Sequence, residues 1–170
     1  VVGPARPRQL EEALALDEAL EPIPRDSPFR AALTALVSSD RAEQRDVAKL
    51  VGPLVRPYWE QPIVHDEALA LAVLRAVIEL PVPISARSGR TDILFALIGS
   101  AHPGLLDFIE HRYPDVLSTV RRDLLVLIAS SGSARGAALL VALVGRYGWP
   151  DRMYPRFYSE LHTRLLDRAD

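Results

Sequence analysis

Apolar residues recur at intervals of three and four along almost the whole chain, and long stretches alternating polar with apolar are missing. This periodicity predicts helices over 8–20, 28–38, 41–55, 66–80, 91–100, 103–112, 119–130, 134–147 and 154–168. Local signals support several starts. Ser27 stands as an N-cap with Pro28 at the first helical position, where a missing N–H costs nothing. Asp40 is followed three residues on by Glu43, the spacing of a capping box. The one plausible extended piece, PVPIS (81–85), carries two prolines and suits a loop better than a strand. The expected fold is therefore all-α, with about eight or nine helices. ALALAVLRAVIEL (68–80) and GAALLVALVG (136–145) are apolar on nearly every side, which marks inner helices covered from several directions.

The pattern also repeats. DILFALIGS (92–100) aligns with DLLVLIASS (123–131) at an offset of 31, and each is followed by a turn, a second helix and then RYPD (112–115) or RYGWPD (146–151). An earlier copy begins at ALVSS (35–39) and ends in RPYWEQP (56–62). Ala48, Leu50, Val51, Arg56 and Trp59 match Ala138, Leu140, Val141, Arg146 and Trp149 at one offset of 90. Ser38, Ser100 and Ser131 close the first helices, two periods and then one period apart. A helix–turn–helix unit of this length cannot bury its apolar face alone, so such units stack.

Paired helices, Pro and Asp near the turns and Arg near helix ends resemble HEAT-like and armadillo-like α-solenoids over about residues 28–168. The resemblance implies a short right-handed superhelix of stacked hairpins with an extended face that binds a protein or, in some such proteins, nucleic acid. On it the chain divides into an N-terminal helix and linker (1–27), units at 28–62, 63–90, 91–118 and 119–151, and a terminal helix (152–170).

Composition narrows the function. The 170 residues suit a single domain, and 49% apolar with 25% charged residues is the balance of an ordinary globular protein. The net charge of −2 argues against nucleic acid as the partner, because phosphate neutralisation needs a basic excess. The absence of cysteine removes disulfides, thiolate metal sites and a cysteine nucleophile. The longest stretch without a charged residue, 93–106, is too short for a membrane span of about 20 residues. A soluble, cytoplasmic protein without membrane contact is expected. The chain begins at Val1, as a piece of a larger chain would. Lys49 stands alone against nineteen arginines, as in a GC-rich bacterial genome.

Catalytic motifs are missing: no phosphate loop, dinucleotide fingerprint or nucleophile elbow is present. SARSGRT (85–91) offers an anion site, with Arg87 and Arg90 flanking a glycine before a helix start, although Ser, Gly and Thr there also make an ordinary cap. Asp107, Glu110 and His111 share one helix face, but one helix supplies too few metal ligands, and His65, His102 and His162 are the only other imidazoles. A solvated helix face accounts for them, so neither a metal nor a cofactor is expected. The first helix is acidic, with Glu11, Glu12, Asp17, Glu18 and Glu21.

Aromatic residues gather at the unit ends, at Tyr58, Trp59, Tyr113, Tyr147 and Trp149, beside Arg56, Arg112 and Arg146. The row reads first as glue between units. Trp149 with Arg152, Tyr154, Arg156, Phe157 and Tyr158 is the candidate partner-binding segment. The expected function is a non-enzymatic protein–protein interaction or scaffold module, docking another protein or the rest of a larger chain, with homo-oligomerisation compatible. A HEAT-like nucleic-acid-binding domain and a helical small-ligand or metal-binding protein are the alternatives.

Overall fold

The computed structural model describes residues 7–55, 65–100 and 102–150. Among them are eight α-helices and no strand: α1 (Pro7–Leu20), α2 (Pro28–Leu36), α3 (Arg41–Val51), α4 (Glu67–Glu79), α5 (Arg87–Ala96), α6 (Pro103–Arg112), α7 (Ser118–Ser130) and α8 (Ala134–Tyr147). Single 3-10 turns at Gly52–Leu54, Ile84–Ala86 and Tyr113–Asp115 adjoin α3, α5 and α6. No helix among the described residues is long and apolar enough to cross a membrane.

The helix starts follow their local chemistry. The Phe29 amide donates to Ser27 Oγ at 3.3 Å, and the Ala42 amide to Asp40 Oδ1 at 2.8 Å. The expected capping box at α3 is relayed rather than direct: the Asp40 amide donates to Ser38 Oγ at 3.1 Å, and the Ser38 hydroxyl donates to Glu43 Oε2. Ser38 and Ser131 play the same part, since the Ser133 amide donates to Ser131 Oγ and Ser133 is the N-cap of α8. Ser100 also stands two residues before an N-cap, His102, but is wholly buried and takes the His65 amide instead. His102 offers α6 no side-chain cap, and Glu67 of α4 does so across 37 residues, accepting from the Gly104 amide at 2.8 Å. Any Cβ at Gly104 would collide with that carboxylate.

From α2 onward each helix touches the one after next, while α1 lies on α4 and α2. α3 lies on α5 and α5 on α7, while α4 lies on α2 and α6, and α6 on α8. The α2–α3 hairpin is the tightest pairing of all. The core runs without a break from Ile23 and Phe29 through Val73, Leu74, Ile93 and Leu94 to Leu105, Ile109, Leu124, Ile128 and Leu140.

Two expectations are corrected. α5 begins at Arg87, not at 91, because the 3-10 turn at Ile84–Ala86 leads straight into it and draws the supposed loop into its first turn. α8 is not an inner helix: Leu139, Leu140 and Leu143 are buried, but Ala138, Val141, Ala142 and Gly145 are exposed. The enclosed helix is α7, buried at every position from Asp123 to Ile128. An all-round apolar sequence looks the same whether or not its outer side is covered. The terminal helix expected at 154–168 lies outside the described residues, as do Tyr58, Trp59 and the rest of 56–64, where the first unit ends and the second begins.

Candidate functional site

Arg121 sits in the first turns of α7 and reaches back over the end of α6. Its Nε donates to the Tyr113 carbonyl at 3.1 Å and a terminal nitrogen to the Pro114 carbonyl at 2.8 Å. The same guanidinium lies over two rings, 5.1 Å from the centroid of Tyr113 and 5.4 Å from that of Tyr147. The rings meet each other at 5.5 Å in a tilted pair. One side chain thereby ties the ends of α6 and α8 to the start of α7, and stacking of this kind contributes about 0.5–2 kcal/mol per ring. Tyr113 is wholly buried, its hydroxyl has no partner among the described residues, and burial pushes its phenol above the ordinary range. A buried ring and a half-buried one under a shared cation hold helices together. They present no surface to a ligand.

Trp149 lies just past this clamp and is 44% exposed. The candidate residues Arg152, Tyr154, Arg156, Phe157 and Tyr158 lie outside the described residues. Beside Trp149 runs the outer face of α8, where Ala138, Val141, Ala142 and Gly145 follow each other at helical spacing, with Val141 at 59% exposure. This is an apolar strip at one end of the row of helices α4, α6 and α8.

Arg87 and Arg90 do not converge. Arg87 is exposed, and Arg90 is turned into the protein at 8% exposure, between α5 and the buried Asp123 of α7. Burial, then the neighbouring Arg87, lowers the Arg90 pKa, and Asp123 opposes both. Asp123, 1% exposed, accepts from the Thr91 hydroxyl at 2.8 Å and from Arg122 Nε at 3.4 Å. The carboxyl of Asp92 is raised above its ordinary range, first by burial and then by Asp123. The cluster is a polar joint between α5 and α7, in which the charge of Asp123 acts on the buried Arg90 without a direct ion pair among the described residues.

Asp107, Glu110 and His111 are all exposed, and Asp107 pairs with Arg135 of α8. Among the described residues no three His, Cys, Asp or Glu side chains are placed to hold a metal ion. His65 and His102 serve the fold. His65 Nε2 donates to the Ala96 carbonyl at 3.2 Å, and His102 Nε2 to the His65 carbonyl at 2.6 Å. The sequence offered no sign of Arg121, Asp123 or Glu67 in these roles, because each acts on a partner brought close only by stacking.

Comparison of the chain with family models, with curated proteins and with solved structures finds no match. Its function has to be argued from the molecule itself.

Proposed function

We propose that this chain is a non-enzymatic protein–protein interaction module, a short right-handed HEAT-like α-solenoid that docks another protein on α8 and Trp149. The observation that carries this is the outer face of α8. A helix apolar on every side leaves Ala138, Val141, Ala142 and Gly145 in solvent, with an exposed Trp149 at its end. Surfaces of this kind gain when a partner removes them from water, at about 25 cal/mol per Å² of apolar area, and Trp is the residue type that most often anchors such contacts. The order in which helices touch, α3–α5–α7 and α4–α6–α8, supports stacked hairpins, since in a solenoid each helix meets its counterpart in the next unit. The single helix α4 sets α3 beside α5, so the first hairpin stands one helix out of step with the two that follow.

The test is photo-cross-linking in cell extract from a photoreactive amino acid placed in turn at Ala142 of α8 and at exposed positions of other helices, with mass-spectrometric mapping, on the full chain and on a Val141→Glu, Trp149→Ala variant. Cross-links from α8 to one partner protein, lost in the variant while its circular dichroism and melting stay unchanged, are the expected result. Partner cross-links that persist in the variant, or that map away from α8, overturn the proposal. Light scattering on the same pair identifies a second copy of the chain as the partner if mass falls from dimer to monomer.

A further inference from the structure

The first turn of α5 presses against α3. A Cβ on Gly89 would come within 3.3 Å of both Leu36 and Val47, and its absence lets the helices approach that closely. The approach opens a cleft of about 360 Å³ lined by Arg41, Gln44 and Arg45 of α3 and by Ser85, Ala86 and Ser88 at the start of α5. Arg41 and Arg45 stand four residues apart on one face of α3, so their guanidiniums point the same way. No carboxylate lines the cleft. Among the described residues no ion pair or side-chain hydrogen bond engages Arg41, Arg45, Ser85 or Ser88. Of the three acids nearest these arginines along the chain, Asp40 is the N-cap of α3, Glu43 is held by Ser38 and Asp46 pairs with Lys49. Gln44 is buried at 7% exposure, its amide fixed to the Ser38 carbonyl at 2.7 Å.

The placement runs against what stability alone would select. Arg41 and Arg87 occupy the first positions of α3 and α5, where the positive end of the helix dipole disfavours a cation, and Arg41 and Arg45 repel each other at i and i+4. Ala86 gives α5 no side-chain cap. Each of these local costs falls when a polyvalent anion occupies the cleft.

We propose that the cleft between α3 and the start of α5 binds a phosphate monoester. Two guanidinium forks and two hydroxyls match a tetrahedral group with several acceptor oxygens, since arginine binds phosphate through paired, parallel N–H donors. The cleft has room for that group and for part of what carries it, so the phosphate belongs either to a small molecule or to the phosphorylated side chain of a partner. The proposal stands independently of the α8 interface, which lies at the far end of the helix stack.

Calorimetric titration tests it with inorganic phosphate, and then with a phosphoserine peptide and its unphosphorylated counterpart, on the full chain and on Arg41→Ala, Arg45→Ala and Ser88→Ala variants. Saturable phosphate binding is expected, competed by sulfate, absent with chloride at equal ionic strength, and weakened about tenfold or more by each arginine substitution. Tighter binding of the phosphopeptide than of inorganic phosphate identifies a phosphorylated partner, and equal binding, with no contribution from the peptide, identifies a small-molecule phosphate. Heat no greater than with chloride overturns the proposal. So does phosphate affinity unchanged in both arginine variants, with folding checked by circular dichroism.

Discussion

Arg121 and Arg45 both project from helices in a chain that uses arginine almost exclusively for its positive charge, yet their surroundings differ at every point. Arg121 donates to two carbonyls and covers two rings, so the protein itself supplies its acceptors and its stacking partners. Arg45 looks into a cleft whose lining offers a second arginine, an amide and two hydroxyls, and no acceptor charge. A count of arginines treats the two alike. What separates structural from ligand-directed arginine is whether the fold itself supplies the counterpart, and for Arg121 and Arg135 it does.

The largest effect expected at the occupied end of this contrast is at Tyr113. Truncation to alanine removes a wholly buried ring and one of the two rings under Arg121, and should cost about 3–5 kcal/mol of folding free energy. Urea denaturation measures it. A loss under about 1 kcal/mol would show that the clamp does not hold α6, α7 and α8 together. Arg121→Ala comes next at about 1–3 kcal/mol, because it leaves the carbonyls of Tyr113 and Pro114 without their donor and uncovers both rings. A Tyr113→Phe companion should change stability by less than about 1 kcal/mol, since the hydroxyl it removes has no partner among the described residues. If Tyr113→Phe costs as much as Tyr113→Ala, the hydroxyl and not the ring is what the clamp needs.

How far these features could be read in advance depended on sequence distance. Ser27 and Asp40 announced their helices because an N-cap and its target amide are two or three residues apart, and the serines at 38 and 131 recur because each closes the same tight turn. Glu67 capping α6 and Thr91 bonded to Asp123 span 37 and 32 residues, and no local pattern announces them. SARSGRT reads locally as a cap and loop, and the helix begins inside it, for a related reason. Ser, Gly and Thr favour turns locally, and only the docking of α5 on α3 and α7 shows that Gly89 is there for close approach and Arg90 for burial. The anion site expected at Arg87 and Arg90 thus gives way to a cleft whose cations, Arg41 and Arg45, come from another helix.

The joint between α5 and α7 makes a smaller prediction, readable only against pH. Asp92 has a carboxyl pKa raised above its ordinary 3.8 by burial and by Asp123. Because the folded pKa exceeds the unfolded one, the folded protein holds that proton more tightly. The associated stability is complete below the unfolded pKa and is lost as pH rises through the folded value. Wild-type stability should therefore decline as pH climbs from about 4 through the raised pKa, and Asp92→Asn should flatten that decline. Parallel urea midpoints for the two proteins across the series would place the titrating group elsewhere.

At the unoccupied end the expected effect on folding is the smallest. Arg41→Ala with Arg45→Ala removes two exposed cations that repel each other, one of them at a helix start where the dipole disfavours it. Without an anion present, the double variant should match the wild type within about 0.5 kcal/mol, or exceed it slightly. In saturating phosphate only the wild type should gain in melting temperature, so the two proteins should separate by an amount that grows with the logarithm of ligand concentration. This difference is what Arg121 cannot show: its loss weakens the fold whether or not phosphate is present. A double variant that is markedly destabilised in phosphate-free buffer would mean that the fold supplies a counterpart for these arginines after all, and the distinction between the two kinds would fall.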